Sequence, residues 1–365
     1  MPIDHDWYFR PMINPTSLLR AACAAGIAII IASCSSSVTP EPPARYAWAV
    51  GAVDSTGYGT ILMTSDGGAT WTRQGVGAAS LQGIKLVDVN AIDSRNVWAV
   101  GTEGRIVRTT DGGATWNAVS TPLTTPVGLE SIDIVNGTHI YVTGDEATVL
   151  RSTNAGASWS LCDTTGFNGA MIQGVHAITA DRVMICGGVP VQGDLAQGFN
   201  RITTNGGATW DSIAFPNNYN RHALIGAYHF GSTLIFYGTT NRYIVSTDNG
   251  ATWRPDSTNF SGNSSGGADI NHLIMLGQNT WWASLDMGHL IRSEDAGATW
   301  INPAAGLGGA FMLGIDAFDN NTAIAVGETT TFPRVGPLAR TTNGGRSWTT
   351  VYTSGNALFH VSCVR

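Results

Sequence analysis

The sequence predicts an all-β fold, a seven-bladed β-propeller made of four-stranded antiparallel blades. Three observations support this prediction: an eight-residue turn motif that occurs seven times, an apolar strand before each copy, and one further apolar strand at the C-terminus. Charged residues make up only 12% of the 365 residues, whereas Gly occurs 45 times and Trp 12 times. Few charges combined with many glycines and aromatics favour short strands joined by tight turns.

The repeated motif reads Ser/Thr-x-Asp/Asn-x-Gly-x-Ser/Thr-Trp, and its Trp recurs every 43 to 51 residues. The third position supplies a side-chain oxygen that accepts hydrogen bonds in a turn, and the glycine permits a positive φ. The Trp supplies a large apolar body for packing. Because Asn replaces Asp in three copies, the motif predicts a structural turn rather than a metal or proton-transfer site. The third positions are Asp66, Asp111, Asn154, Asn205, Asp248, Asp295 and Asn343.

Each repeat has room for four strands, which is the pattern of a propeller blade. The first repeat begins at Tyr46 with what is the second strand in every other repeat. The apolar run 358–364 has no motif of its own and fits as the missing first strand of blade 1. We therefore expect residues 46–365 to form one propeller, with the ring closed by the C-terminal strand, which leaves no open sheet edge.

The N-terminal segment predicts export. A 13-residue apolar run follows Arg20, and it is too short to span a bilayer but typical of a signal-peptide core. It ends in Ile31-Ala32-Ser33-Cys34, which resembles the bacterial lipobox. The resemblance implies cleavage before Cys34 and lipidation of that residue. Residues 1–33 are therefore predicted to be a lipoprotein signal peptide.

Asp4 and Asp6 do not suit the positive start of a signal peptide, so translation starting at Met12 is the alternative to a start at Met1. Residues 34–45 are rich in Ser and Pro and predict an extended tether. The resemblance to lipoproteins also bears on location, because Ser35 rather than Asp follows the lipidated residue. We expect the outer membrane, on its periplasmic or surface side, while the inner membrane remains the alternative.

The repeats resemble those of the photosystem II stability/assembly factor family, which carry the motif known as the BNR repeat or Asp box. Residues 97–116 show the resemblance most fully, and it extends over residues 46–365. It implies a seven-bladed propeller that binds partner proteins without catalysis. The basic patch of that family corresponds to four arginines before the boxes, for which packing between blades is the alternative. These are Arg108, Arg151, Arg292 and Arg340.

Catalytic propellers provide the alternative function. Sialidases carry Asp boxes, but their signature before the first box is not matched by Ala44-Arg45-Tyr46-Ala47. Xyloglucanase-type enzymes place a carboxylate on each of two rings, and nothing in this sequence pairs two carboxylates as glycoside hydrolysis requires. We therefore predict a protein-binding scaffold at the cell envelope, with no cofactor. A carbohydrate-binding or sialidase-like hydrolytic propeller is the alternative. A net charge of −7 argues against nucleic acid as a ligand.

Chain direction places the long connections on the face opposite the Asp boxes, which we call the loop face. The longest are 187–200, 254–267 and 327–337. Their aromatic and arginine side chains are typical anchors of a protein interface, although such residues also pack beneath their own loops. The candidate binding residues are Val191, Phe199, Phe260, Phe332 and Arg334.

A polar residue recurs within the first strand of each blade, which is the innermost strand of a propeller. These residues predict a polar ring in the central channel that holds a cation or polar ligand, or that bonds water and neighbouring backbone. The ring consists of Asp88, Asp133, His176, Tyr228, Asn271, Asp316 and His360. Cys162, Cys186 and Cys363 lie on apolar strands and are expected to be buried thiols, although a Cys162–Cys186 disulfide remains an alternative.

Overall fold

The structure is a computed structural model that describes residues 43–365, except 192–193, 217–218, 220–221, 259, 261–266, 303–306 and 308. The predicted signal peptide, Cys34 and most of the tether lie outside the described residues. Ala44–Arg365 forms one compact unit. None of the helices in the described part of the chain has the length and hydropathy needed to span a bilayer.

Strands are the main regular secondary structure of the described chain. Two short 3₁₀ helices, Ala79–Leu81 and Asp286–Gly288, interrupt it. The strands are β1 (Ala47–Val53), β2 (Gly59–Thr64), β3 (Thr72–Gln74), β4 (Leu86–Ala91), β5 (Val97–Gly101), β6 (Ile106–Thr109), β7 (Asn117–Ala118), β8 (Leu129–Val135), β9 (His139–Gly144), β10 (Val149–Ser152), β11 (Ser160–Leu161), β12 (Met171–Ala177), β13 (Val183–Val191), β14 (Asp194–Thr203), β15 (Leu224–Phe230), β16 (Thr233–Gly238), β17 (Arg242–Ser246), β18 (Arg254–Ser257), β19 (Ile270–Met275), β20 (Trp281–Leu285), β21 (Leu290–Ser293), β22 (Ala310–Ala317), β23 (Ala323–Thr329), β24 (Gly336–Thr341), β25 (Thr349–Ser354) and β26 (Leu358–Cys363).

These strands form seven antiparallel sheets, and the predicted seven-bladed propeller is confirmed. The blades, numbered 1 to 7 along the chain, contain β26-β1-β2-β3, β4–β7, β8–β11, β12–β14, β15–β18, β19–β21 and β22–β25. In blades 4 and 6 the fourth strand is reduced to one bridge, Ile202–Asp211 and Arg292–Ile301 respectively. The predicted closure is also confirmed, because β26 pairs with β1, with Ala47 opposite Cys363 and Val50 opposite His360.

The core lies between the blades. The buried cluster between blades 1 and 2 shows the pattern: Trp48 and Ile61 of blade 1 pack with Val89 and Val97 of blade 2. Trp116, from the Asp box of blade 2, packs into the same cluster. Each sheet is therefore apolar on both faces, and the Trp of a box fills the gap toward the preceding blade.

The Asp box is a self-contained turn, as the first copy shows. Asp66 Oδ1 accepts hydrogen bonds from Thr64 Oγ1 (2.7 Å) and from the Thr70 amide (3.0 Å). Burial opposes ionisation, yet the hydrogen bonds from Thr70 and Thr64 lower the pKa of Asp66 to about 2. Gly68 has a φ of +84°, and a Cβ there would lie 2.2 Å from Ile324 Cδ1 in blade 7. Glycine is required because the backbone is left-handed and the neighbouring blade 7 is close.

Copies with Asn keep the same geometry without the charge. Asn205 Oδ1 accepts from Thr203 Oγ1 (2.9 Å) and from the Thr209 amide (3.0 Å), as the carboxylate does in the Asp copies. The side-chain oxygen therefore serves the turn, and ionisation is not needed for it.

The arginines before the boxes bridge adjacent blades. Arg108 stacks on Trp98, with Cζ 4.6 Å from the ring centre, and its Nη1 donates to Ala155 O (3.1 Å) in the next Asp box. Arg340 Nε likewise donates to Gly67 O (2.7 Å) in blade 1. The four arginines are buried or half-buried: Arg108, Arg151, Arg292 and Arg340. They pack between blades, so they do not form the free basic patch that the family resemblance implies.

Candidate functional site

The central channel contains a cavity of about 380 Å³, lined by the first strand of every blade. Each of these strands has a β-bulge at the same position, where the ladder to the second strand skips one residue. A bulge turns an additional side chain toward the sheet edge. The skipped residues line the cavity at its loop-face end, and we call them the mouth ring: Val87, Glu130, Gln173, Ile225, Asn271, Leu313 and Phe359.

Two further levels lie beyond the mouth ring. The residue after each bulge forms the upper ring, and the residue two positions later forms the lower ring, because side chains alternate along a strand. The upper ring is Asp88, Ser131, Gly174, Gly226, His272, Gly314 and His360. The lower ring is Asn90, Asp133, His176, Tyr228, Ile274, Asp316 and Ser362.

The predicted polar residues all line this cavity, but they do not form one ring, which corrects the prediction. Asn271 belongs to the mouth ring, and Asp88 and His360 belong to the upper ring. The other four, Asp133, His176, Tyr228 and Asp316, belong to the lower ring. The difference arises because the predicted residues occupy different positions relative to the bulge: Asn271 is the bulged residue, Asp88 and His360 follow it directly, and the other four lie two positions further on.

The upper ring contains a chain of polar contacts that runs from a carboxylate through two histidines to a backbone carbonyl. Asp88 Oδ1 lies 2.7 Å from His360 Nδ1, His360 Nε2 lies 3.1 Å from His272 Nε2, and His272 Nδ1 lies 2.8 Å from Ile315 O. Since the carbonyl only accepts, His272 donates from Nδ1 and accepts at Nε2. His360 then donates from Nε2 and faces the Asp88 carboxylate with Nδ1, so His360 is the cation and His272 is neutral.

The pKa directions agree with this assignment. Burial alone would lower the pKa of His360, but the adjacent Asp88 carboxylate raises it overall. Burial, together with the charge on His360, lowers the pKa of His272 to about 3. Burial likewise opposes ionisation of Asp88, and His360 outweighs it, so the pKa of Asp88 falls.

The lower ring contains a second Asp–His–His chain. Asp133 Oδ2 lies 3.2 Å from His176 Nδ1, and His176 Nε2 lies 2.6 Å from His229 Nδ1. Tyr228 stacks on His176 with ring centres 4.8 Å apart. Burial and the neighbouring His176 lower the pKa of His229 to about 4.

Arg365, which follows β26, reaches across the lower ring. Its Nη2 pairs with Asp316 Oδ1, and its Nη1 donates to Tyr228 OH (3.3 Å). The Asp316 carboxylate raises the pKa of the guanidinium further. This arginine therefore links blade 1 with blades 5 and 7.

The channel carboxylates also join neighbouring first strands, which share no ladder. Asp88 Oδ2 accepts from the Ile132 amide (2.8 Å), and Asp133 Oδ2 accepts from the Ala177 amide (2.7 Å). Asp316 Oδ2 accepts from the Cys363 amide (2.8 Å) in the same way. The ring charges thus hold the blades together and are compensated internally. In the described part of the chain, no group of three or more His, Cys, Asp or Glu side chains is arranged to hold a metal ion.

Sequence reasoning missed several members of these networks: Asn90, Ser131, His229, His272, Ser362 and Arg365. A signal for part of them was present, because polar residues two positions apart recur in first strands, as at Asp88 and Asn90 or His360 and Ser362. His229 and Arg365 had no such signal, since both act at the ends of strands.

The loop-face candidates differ in exposure. Phe332 is 93% exposed, and Arg334 beside it pairs with Glu328. Phe260 is half-buried against the blade 6 core. Phe199 is only 3% exposed and packs on Phe167 at 4.9 Å, so its prediction as a binding anchor was wrong.

The exposure of two other predicted residues is not described. Val191 ends β13, but its side chain lies outside the described residues. The whole of Cys34 lies outside them.

Cys162 and Cys186 are both free thiols, so the alternative of a disulfide between them does not hold in this structure. Burial raises the pKa of the Cys162 thiol to about 11.

Comparison with known proteins supports the resemblance predicted from the repeats. The family model described as photosynthesis system II assembly factor YCF48 matches residues 78–166. No curated protein matches the sequence significantly.

Solved structures with the same fold include both binding proteins and an enzyme. YCF48 from Cyanidioschyzon merolae is 16% identical, with a TM-score of 0.56 over 83% of this chain and 97% of that one. A YCF48 bound to a D1 peptide is also 16% identical, with a TM-score of 0.53 over 72% and 79%. A GH74 xyloglucanase from Xanthomonas campestris is 14% identical, with a TM-score of 0.58 over 88% of this chain and 56% of that one. At these identities the structures establish the fold.

The neutral histidines predict acid sensitivity. The unfolded chain protonates His272 below about pH 6.5, whereas the folded chain resists protonation down to about pH 3. In that window the unfolded state binds more protons, so stability falls as the pH falls. Urea unfolding should be measured at pH 7 and at pH 4.5. The decrease in the free energy of unfolding between these two pH values should be about 2 kcal/mol smaller in His272→Gln than in the wild type. His139→Gln, on β9 away from the channel, is the control. An equal decrease in the free energy of unfolding in all three proteins would contradict the assignment of His272 as a neutral histidine.

Proposed function

We propose that this protein is a non-catalytic, protein-binding propeller of the assembly-factor type, held at the cell envelope by a lipid on Cys34. The family match and the resemblance of the repeats support a binding role. The observation that carries the proposal is the 93% exposed Phe332 on the loop face. By contrast, the channel aspartates and histidines are engaged within the protein.

The loop around Phe332 is held in shape by its own contacts. The Thr329 amide donates to Val335 O (2.9 Å), the Val335 amide donates to Thr329 Oγ1 (3.1 Å), and Arg334 pairs with Glu328. These bonds close the loop at its base and leave the aromatic ring in solvent. An exposed Phe on a closed loop loses little conformational freedom on binding, and burying it contributes about 2 kcal/mol.

A protein segment is the proposed ligand. The structure of a related YCF48 with a bound D1 peptide supports that class of partner for propellers of this type. The tether 34–45 spans up to about 40 Å when extended, so a lipid on Cys34 keeps the propeller within reach of membrane-bound partners.

The function is tested by cross-linking capture from native membranes with tagged protein. Phe332→Ala should reduce recovery of the specific envelope partner at least tenfold, because the exposed ring contributes the central apolar contact. Phe230→Ala is the matched control, since Phe230 is 42% exposed but ends β15 beside the turn to β16, on the opposite face. Equal recovery with both variants would refute the assignment of this loop.

Lipidation is tested separately with cells grown on a labelled fatty acid. The wild-type chain should incorporate the label and fractionate with membranes, whereas Cys34→Ser should do neither, because the acyl chains attach at that residue. Outer and inner membranes are then separated by density. Label in Cys34→Ser would overturn the proposed anchor.

One observation favours the alternative function, hydrolysis of glycans. An ideal Cβ on Gly128 would lie 2.4 Å from Asp145 Oδ2 and 3.4 Å from Glu130 Oε1, so both carboxylates approach one point at the channel mouth. Burial and then repulsion from Asp145 raise the pKa of Glu130. Burial also raises the pKa of Asp145, as does Glu146. Glycoside hydrolysis requires a pair of carboxyl groups, one protonated through a raised pKa as the general acid and the other ionised as base or nucleophile.

The binding proposal predicts no hydrolysis by this pair. Purified wild-type protein assayed on xyloglucan and on sialyl-oligosaccharides from pH 4 to 7 should release no reducing sugar above the level of Glu130→Gln. Turnover by the wild type that is lost in both Glu130→Gln and Asp145→Asn would replace the scaffold proposal with a glycosidase.

A further inference from the structure

The mouth of the channel has an apolar arc and a polar sector. The apolar arc consists of half-buried side chains that line the cavity: Val87, Ile225, Leu313 and Phe359. The polar sector consists of Glu130 and Gln173, from the adjacent blades 3 and 4, and Asn271 of blade 6. The cavity of about 380 Å³ has the size of a ligand site, and such sites combine apolar walls with a few polar groups.

The polar sector offers hydrogen-bond acceptors to a ligand. Asn271 Nδ2 donates to Asp286 Oδ1 (2.9 Å) and to Met312 O (3.0 Å), so the amide oxygen of Asn271 is the atom left for a ligand. Among the described residues, Glu130 makes no side-chain hydrogen bond, and an ionised carboxylate only accepts. Gln173 can accept or donate. This sector therefore suits a ligand that is rich in donors.

A second carboxylate beside the mouth also lacks a partner. Asp145 accepts a hydrogen bond from the Gly128 amide, but its Oδ1 is buried without a hydrogen-bond partner in the described part of the chain. An ideal Cβ on Gly128 would lie 2.4 Å from Asp145 Oδ2 and 3.4 Å from Glu130 Oε1, so the two carboxylates converge there. No described basic side chain forms an ion pair with either of them. A cation at this point would stabilise both charges.

The only lysine in the sequence shows that a cation is accommodated at the mouth. Lys85 Nζ lies 4.5 Å from the ring centre of Phe359, which belongs to the apolar arc. The charge on Lys85 opposes the rise in the pKa of Glu130 that burial and Asp145 cause. Because Lys85 forms no ion pair with Glu130 or Asp145, it leaves the point beside Gly128 open.

Charges deeper in the channel confine an added cation to the mouth. His360 in the upper ring is the cation of its chain, and Arg365 spans the lower ring, so both repel a further positive charge. A metal ion is a poorer fit than an organic cation, because no described group of three or more His, Cys, Asp or Glu side chains is arranged to hold one. The apolar arc, by contrast, suits the aliphatic stem of a long side chain.

We propose that the channel mouth receives one cationic side chain, an arginine or a lysine, from a partner protein. Its charge lies beside Gly128 between Glu130 and Asp145, and its aliphatic stem packs on the apolar arc. The net charge of −7 of the whole chain favours approach of a basic partner surface. This inference deepens the proposed function and rests on it, since the inserted side chain is a second anchor for the partner, separate from Phe332.

The test uses the purified full chain in detergent at low ionic strength, with carbon-13 in the methyl groups of Ile, Leu and Val. The probes are acetyl-Gly-X-Gly amides in which X is arginine, lysine or citrulline. The two cationic peptides should shift the methyl signals of Ile225 and Leu313. They should bind about tenfold more tightly than the citrulline peptide, because citrulline has the shape of arginine without its charge.

Three variants locate the charge. Glu130→Gln should weaken binding of the arginine peptide about fivefold, because it removes one of the two carboxylates. Glu103→Gln is the matched control, since Glu103 is exposed on the β5–β6 connection of the same face, and it should bind as the wild type does. Lys85→Met should strengthen binding about threefold, because it removes the competing cation. Unchanged methyl signals away from the mouth confirm that each variant is folded.

Several results would overturn the site. These are equal affinity for the arginine and citrulline peptides, equal affinity of Glu130→Gln and Glu103→Gln, and shifts confined to methyl groups away from the mouth. Calcium chloride that shifts the Ile225 and Leu313 signals at lower concentration than the arginine peptide would replace the side chain with a metal ion. Phe332→Ala should bind the peptides as the wild type does, so failure here would leave the capture result with Phe332→Ala unaffected.

Discussion

Contact between neighbouring blades is the constraint on which this propeller depends, because adjacent blades share no hydrogen-bonded ladder. Apolar packing fills most of the gap, as where Trp48 of blade 1 meets Val89 of blade 2. Packing alone is not directional, so hydrogen bonds set the angle between blades. Asp88 supplies them at the channel, where it binds an amide of the next blade, and Arg108 supplies them at the Asp-box face.

The difference between contacts within a blade and contacts between blades explains which features can be predicted from the sequence. The fold follows from local signals repeated seven times: the side-chain acceptor at Asp66, the left-handed Gly68 and the Trp that packs toward the preceding blade. Closure by β26 was predictable because one strand was missing at the start and one was in excess at the end. None of these inferences requires knowledge of contacts between distant residues, since each unit specifies its own turn.

The candidate site was harder because it is made of contacts between units. The channel residues lie on three levels, and His272 contacts His360 although 88 positions separate them. The exposure of side chains on the loop face could not be predicted from the sequence either. Phe199 and Phe332 both lie in predicted loops, but only Phe199 packs against Phe167.

The closure of blade 1 also has a mechanical meaning. β1 is held between β26 on one side and β2 on the other. A pull applied to the chain before Ala47 acts along β1 and loads both ladders in shear at once, so several hydrogen bonds must break together rather than one after another. Tension applied at the N-terminal end of β1 is therefore carried into the ring through two ladders instead of opening it.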